Sequence, residues 1–176
     1  KKAPEALDTL RAAGWSLDVL ETTGPGVATE MAREAYALGI RNFIAVGGDG
    51  TSCEIINGFL PASLGGGERC SLGFLPLGTG NSFLRDFTAD GENAAIEALK
   101  NGISRGCDVN ALHHEKGTFY SMNILSMGFT ARVGATTNRR FKPLGEAGYI
   151  FGVLSTLASL QADRFALTID GQEEDP

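Results

Sequence analysis

The chain has 176 residues, 43% of them hydrophobic and 20% charged, with a formal net charge of −6. That composition suits a globular protein of one full domain, or one domain and part of a second. The negative balance argues against nucleic acid as a partner, since a duplex-binding domain needs a basic face, and it gives no long-range pull toward anionic lipid.

In chain order, Pro4 to Ala13 predicts a short helix, with proline in its first turn and Gly14 past its end. Trp15, Leu17 and Val19 alternate as in a strand, and Thr22 to Gly26 is a turn. Ala28, Met31, Ala32, Ala35 and Leu38 recur at helical spacing up to Gly39. Asn42–Val46 is a short apolar strand that runs straight into Gly47-Gly48-Asp49-Gly50-Thr51. A helix follows, with Cys53, Ile56, Phe59 and Leu60 on one face, then a glycine-rich loop over Ser63–Arg69. Ser71–Leu75 is a second strand, and Pro76-Leu77-Gly78-Thr79-Gly80-Asn81 leads into a helix near Ser82–Phe87. A further helix, Glu92–Lys100, stops at Asn101-Gly102. Such strand–helix alternation predicts an α/β fold with a parallel sheet. After Cys107 the pattern changes: Asp108–Leu112, Thr118–Leu125 and Arg164–Asp170 are strand-like, with one long helical run between. The domain boundary is therefore set at residue 108, giving regions 1–108 and 109–176.

The Gly47–Thr51 loop leaves a buried strand at its carboxyl end and opens a helix, where open α/β sheets bind ligands. Glycines let backbone N–H groups approach phosphate oxygens, and a helix N-terminus favours an anion. Asp49 is the odd member, because a carboxylate beside phosphates repels them unless a cation lies between; it implies Mg²⁺, held directly or through water. The Pro76–Asn81 loop repeats this geometry, so the two loops should wall one crevice. Arg85, four residues beyond Asn81, either reaches back over a phosphate or pairs with Asp86 or Asp90. Neither loop is a Walker A motif or a GxGxxG fingerprint, so neutralising phosphate falls to Mg²⁺, Arg85 and backbone dipoles.

These residues resemble the diacylglycerol kinase catalytic-domain superfamily, which includes bacterial lipid kinases and sphingosine and ceramide kinases. The likeness rests on GGDGT at 47–51 with Glu54, Asn57 and Gly58 behind it, on PLGTGNSFLR at 76–85, on Asp108-Val109, on FYSMNILSMGF at 119–129, and on LGEAGYI at 144–150. GGDGT alone is shared with NAD kinases; the second loop and the 119–129 segment decide. The resemblance implies a Rossmann-like, phosphofructokinase-like nucleotide-binding domain followed by a truncated C-terminal β-sandwich. It implies transfer of the ATP γ-phosphoryl to a lipid hydroxyl by a cytoplasmic enzyme that works peripherally at the membrane surface. Thr22, Gly47, Gly48, Asp49, Gly50, Thr51, Ser52, Cys53, Gly78, Thr79 and Asn81 would bind the nucleotide, with Asp49 organising Mg²⁺–ATP and with Asp49, Arg85 and Asp108 in the catalytic network. Ser82 stands where bacterial diacylglycerol kinases usually carry Asp, a residue that the sphingosine kinases also lack. The family's proton acceptor lies in an Asp-Gly-Glu-like segment that this chain does not reach, and Asp170-Gly171-Gln172 matches an earlier hairpin instead. NAD kinase and a non-catalytic nucleotide-binding module are the alternatives.

The remaining features are weaker. No stretch is apolar for long enough to cross a bilayer, and no signal peptide opens the chain, although both ends look cut. Cys53, Cys70 and Cys107 are odd in number and lack zinc spacing, so they are expected to be reduced thiols. His113-His114 point to opposite faces of a strand and fit a solvent-facing hairpin better than a metal site. Glu146–Leu160 is expected to be a helix buried against the second domain rather than one touching a membrane. Arg139, Arg140 and Lys142 fit a solvated turn or a contact with lipid phosphates equally well. The oligomeric state is open, a homodimer included.

Overall fold

Apolar periodicity in the first hundred residues resolves into helices packed on both sides of a parallel strand pair. The computed structural model describes residues 2–78, 80–126, 128–136 and 167–174. The chain divides into two units, Lys1–Ile124 and Leu125–Pro176. In the first, helix α1 (Lys2–Ala12) and helix α2 (Val27–Ala37) precede strand β1 (Asn42–Gly47), helix α3 (Asp49–Leu64) and strand β2 (Ser71–Pro76). Helices α4 (Ser82–Arg85) and α5 (Gly91–Lys100) follow, then the hairpin β3 (Asn110–His114) and β4 (Gly117–Ser121).

Strands β1 and β2 pair in parallel, with Val46 opposite Leu75 and Gly47 opposite Pro76. Because strand side chains alternate, each strand feeds two cores. Phe43, Ala45, Leu72 and Phe74 join a cluster with Ala28, Ala32 and Tyr36 of α2 and Ile55, Ile56 and Phe59 of α3. Ile44, Val46 and Leu75 join the other, with Ala6 and Leu10 of α1 and Ile96 and Leu99 of α5. Leu10 and Leu75 are fully buried, each contributing on the order of 2 kcal/mol of hydrophobic stabilisation. Two glycines make the layers fit. A Cβ on Gly58 would lie 2.5 Å from the Thr29 carbonyl oxygen, so α2 and α3 cross in close contact there. A Cβ on Gly73 would meet Leu99 at 2.5 Å.

The alternation at Trp15, Leu17 and Val19 does not become a strand. Trp15 and Leu17 pack on the second core, but among the described residues the segment has no ladder partner, and Val19 and Leu20 stay exposed. Periodicity reports burial, whereas a strand also needs a neighbour with free N–H and C=O groups. Helix α3 runs two residues into the expected loop, and α4 is a single turn rather than a six-residue helix. The two later strands are offset from their expected ranges because the Glu115-Lys116 turn and Gly117 (φ 127°) set the antiparallel register. Both histidines are exposed on this hairpin, with His113 Nδ1 2.9 Å from Thr118 Oγ1.

The second unit contains helix α6 (Phe129–Thr136) and the antiparallel pair β5 (Leu167–Ile169) and β6 (Gln172–Glu174). The reading of the sequence had no helix at 129–136, where Gly134 and the β-branched Thr130, Val133 and Thr136 lower helix propensity. Asp170 (φ 51°) and Gly171 (φ 82°) form the two-residue turn between β5 and β6, as a primed hairpin turn requires. The 146–160 helix, the basic loop at 139–142 and LGEAGYI at 144–150 lie outside the described residues. No helix among the described residues is long and apolar enough to cross a membrane.

Candidate functional site

The parallel register brings the two glycine loops side by side at the carboxyl ends of β1 and β2. Between them is a crevice lined by Gly47, Gly48, Asp49, Ser52, Phe74, Pro76, Asn81, Phe83 and Leu84.

The loops touch through backbone. A Cβ on Gly78 would stand 2.5 Å from Gly48 Cα, and one on Gly48 would stand 3.3 Å from Gly78 Cα. Leu77 and Gly78 both donate their N–H to the Gly47 carbonyl, at 3.0 and 3.2 Å. A Cβ on Gly47 would collide with the Thr51 hydroxyl at 2.6 Å. Gly48 and Gly78 therefore serve the contact between the loops, and Gly47 makes room for the Thr51 side chain of its own loop. Gly50 differs: it lies exposed in the first turn of α3, has no positive φ, and a Cβ there would meet nothing within 4 Å. Folding gives no reason for glycine at this position, where it costs about 1 kcal/mol relative to alanine in a helix interior. What it provides is bare backbone facing outward.

Three helix N-termini lie around α3, and two are already closed by its carboxylates. Asp49 Oδ2 accepts the Ser82 N–H at 2.9 Å and Oδ1 accepts the Phe83 N–H at 3.2 Å, which caps α4 from 33 residues away. Glu54 Oε2 accepts the Ala28 N–H at 3.2 Å, and Thr29 Oγ1 donates to the Glu54 carbonyl at 3.0 Å, which fixes the start of α2. At α3 itself Gly48 makes no side-chain cap, and its carbonyl accepts the Thr51 and Ser52 N–H groups at 3.0 and 3.3 Å. The N–H groups of Asp49 and Gly50 make no hydrogen bond among the described residues. An anion would find its donors there.

Asn81 holds the second loop in a left-handed turn (φ 49°, ψ 42°), a conformation asparagine tolerates. Its amide donates to the Gly78 carbonyl at 2.6 Å. Its Oδ1 is buried and accepts no hydrogen bond among the described residues, which costs about 1–3 kcal/mol unless a donor arrives from outside. A cation's hydration water is such a donor. Among the described residues no cluster of three His, Cys, Asp or Glu side chains could hold a metal alone. Asp49 is the one acidic residue of the lining, and its two capping bonds leave part of its accepting capacity unused. That set fits Mg²⁺ bound through one carboxylate, waters and the phosphates of a ligand, as Mg²⁺ commonly is.

The expected residues fall into three groups. Gly47, Gly48, Asp49, Ser52 and Asn81 line the crevice; Gly50, Thr51 and Gly78 lie outside that lining, with Thr51 against Gly47 and Gly78 against Gly48. Cys53 is turned away toward the hairpin, its Sγ 3.6 Å from the Tyr120 carbonyl oxygen, and burial pushes its thiol pKa up. Thr22, Arg85 and Asp108 are exposed and outside the lining. Arg85 makes no ion pair with Asp86 or Asp90. Thr79 lies outside the described residues. The sequence reading missed Phe74, Phe83 and Leu84 in the lining, and it missed the roles of Glu54 and Asn57. The Asn57 side chain pairs with the Tyr120 peptide like a ladder partner, accepting its N–H at 2.9 Å and donating to its carbonyl at 2.8 Å.

Comparison with known proteins agrees with this geometry. The family described as diacylglycerol kinase catalytic domain matches residues 1–112. The chain is 35% identical to the "Probable lipid kinase YegS-like" of Pseudomonas putida over 158 residues, which cover 89% of this chain and 51% of that protein. It is 29% identical to the "Diacylglycerol kinase" of Bacillus subtilis over 175 residues, covering 98% of this chain and 55% of that one. A solved structure described as "A putative diacylglycerol kinase from Bacillus anthracis str. Sterne" superposes with a TM-score of 0.63 at 25% identity, over 96% of this chain and 55% of the other. The chain thus spans about half the length of the curated relatives it matches. With the two glycine loops on adjacent parallel strands and residues 1–112 matched, the chain belongs to the diacylglycerol kinase catalytic domain family.

Proposed function

We propose that this chain is the nucleotide-binding part of an ATP-dependent lipid kinase that transfers the γ-phosphoryl of ATP to a lipid hydroxyl, of the diacylglycerol or sphingoid type, at the membrane surface. The observation that carries the phosphate half of the reading is the first turn of α3, where the Asp49 and Gly50 amides make no hydrogen bond among the described residues and a Cβ on Gly50 would meet nothing within 4 Å. The lipid half rests on the family and on relatives named as lipid kinases.

In this reading the α3 amides hold phosphate oxygens, and Asp49 and Asn81 face the hydration shell of Mg²⁺, which when bound offsets the phosphate charge. Asp49 has a second task, because its carboxylate also keeps α4 and the second loop in place. Phe74 and Phe83, whose rings are 5.2 Å apart, exclude water from the inner wall. The acceptor hydroxyl and the group that takes its proton are assigned to parts of the enzyme beyond this crevice.

The test is turnover of the intact enzyme with Asp49 replaced by alanine. Loss of one charge-positioning group of this kind typically costs about a hundredfold or more in rate. A folded Asp49→Ala enzyme with near-normal turnover would contradict the assignment.

A further inference from the structure

Helix α4 forms one wall of the crevice through Phe83 and Leu84, yet it is a single turn, Ser82–Arg85. One turn fixes several backbone dihedrals for little hydrogen bonding, so it persists only where other parts of the fold hold it. Asp49 holds its first amides. Its buried Phe83 packs on Phe74 and on Phe87, with ring centroids 5.2 and 5.0 Å away. Phe87, just past the helix, is 39% exposed, and the Arg105 guanidinium lies over its ring, 3.8 Å from the centroid. A row of aromatic rings thus runs from the crevice to a cation at the surface.

Arg105 belongs to the exposed stretch 101–108 that leads into β3. At the far end of the hairpin, the Tyr120 peptide of β4 is hydrogen-bonded to Asn57 of α3, the helix whose first turn forms the opposite wall. One continuous segment, 103–121, is therefore tied to both walls. We infer that this segment braces the crevice, and that Arg105 is a positioning residue for the α4 wall, acting through Phe87 and Phe83. The inference rests on the nucleotide-binding reading above and adds to it a residue that lies outside both glycine loops. A wall that is packed only part of the time lowers apparent affinity by the packed fraction, and the ligand restores the packing as it binds. Loosening the brace therefore weakens binding but leaves every molecule able to bind. Loss of folded protein does the reverse, reducing the number of sites at unchanged affinity.

The experiment measures Mg²⁺–ATP binding to the intact enzyme by calorimetry, for wild type, Arg105→Ala, Arg105→Lys, Phe87→Leu and the double variant Arg105→Ala/Phe87→Leu. The brace predicts that Arg105→Ala raises Kd about two- to fivefold at unchanged stoichiometry, the scale of one exposed cation–π pair. Arg105→Lys, which keeps a cation for the ring, should restore most of the affinity. Phe87→Leu keeps an apolar neighbour for Phe83 but removes the ring face, so it should weaken binding, and adding Arg105→Ala to it should change little more. An unchanged Kd in Arg105→Ala would overturn the brace while leaving nucleotide binding intact. So would an unchanged Kd in Phe87→Leu, or full additivity in the double variant, since Arg105 would then act without Phe87. Failure of wild type to bind Mg²⁺–ATP would instead remove the reading on which the brace rests, and the brace with it.

Discussion

Gly78 and Gly50 both sit in glycine loops, but their surroundings assign them opposite tasks. An alanine at 78 would drive a methyl to 2.5 Å from Gly48 Cα, and backbone cannot swing aside as a side chain can. Gly78→Ala should therefore lower stability by about 1–3 kcal/mol, in the range of overpacking substitutions, measured by denaturant unfolding. Gly50→Ala meets nothing within 4 Å and should leave stability unchanged or raise it by up to about 1 kcal/mol. On the proposed reading it should nevertheless weaken Mg²⁺–ATP binding, because it adds a methyl beside the Asp49 and Gly50 amides, which make no hydrogen bond among the described residues. Unchanged affinity in Gly50→Ala would mean that phosphate does not approach there. The sequence made both positions visible as glycine but could not separate them, because the distinction depends on which backbone lies opposite.

At the scale of elements, α3 fixes three other segments through single side chains: Asp49 to α4, Glu54 to α2 and Asn57 to β4. The α3 pattern and the strand–loop–helix order around it were legible because apolar periodicity and glycine punctuation act locally. The three links were not, since they span 26 to 63 residues and follow from the packing of the folded chain. The unpaired segment at Trp15–Leu20 failed for the same reason, as alternation cannot reveal whether a ladder partner exists. Asn57 offers the clearest test. In Asn57→Ala the N–H of Tyr120 loses its α3 partner and the carbonyl keeps only the weak Cys53 Sγ contact at 3.6 Å, in a partly buried setting. The expected cost is about 1–3 kcal/mol, with faster amide exchange at Tyr120 than at the β1 strand. Unaltered exchange at Tyr120 would show that the hairpin is held by packing of Tyr120, Val109 and Met122 alone.

At the scale of the whole molecule, the chain has a crevice between its two glycine loops, proposed above to hold phosphate, and belongs to a family in which relatives are named as lipid and diacylglycerol kinases. The crevice explains where phosphate would sit but does not select the hydroxyl that attacks it. GGDGT is shared with NAD kinases, so the acceptor separates the two enzyme classes. The deciding measurement is transfer of labelled γ-phosphate from ATP, with Mg²⁺ and the intact enzyme, to diacylglycerol and sphingoid lipids in mixed micelles and, in parallel, to NAD. The account predicts labelled phospholipid and no labelled NADP. Label in NADP, with none in any lipid of a broad panel, would contradict it.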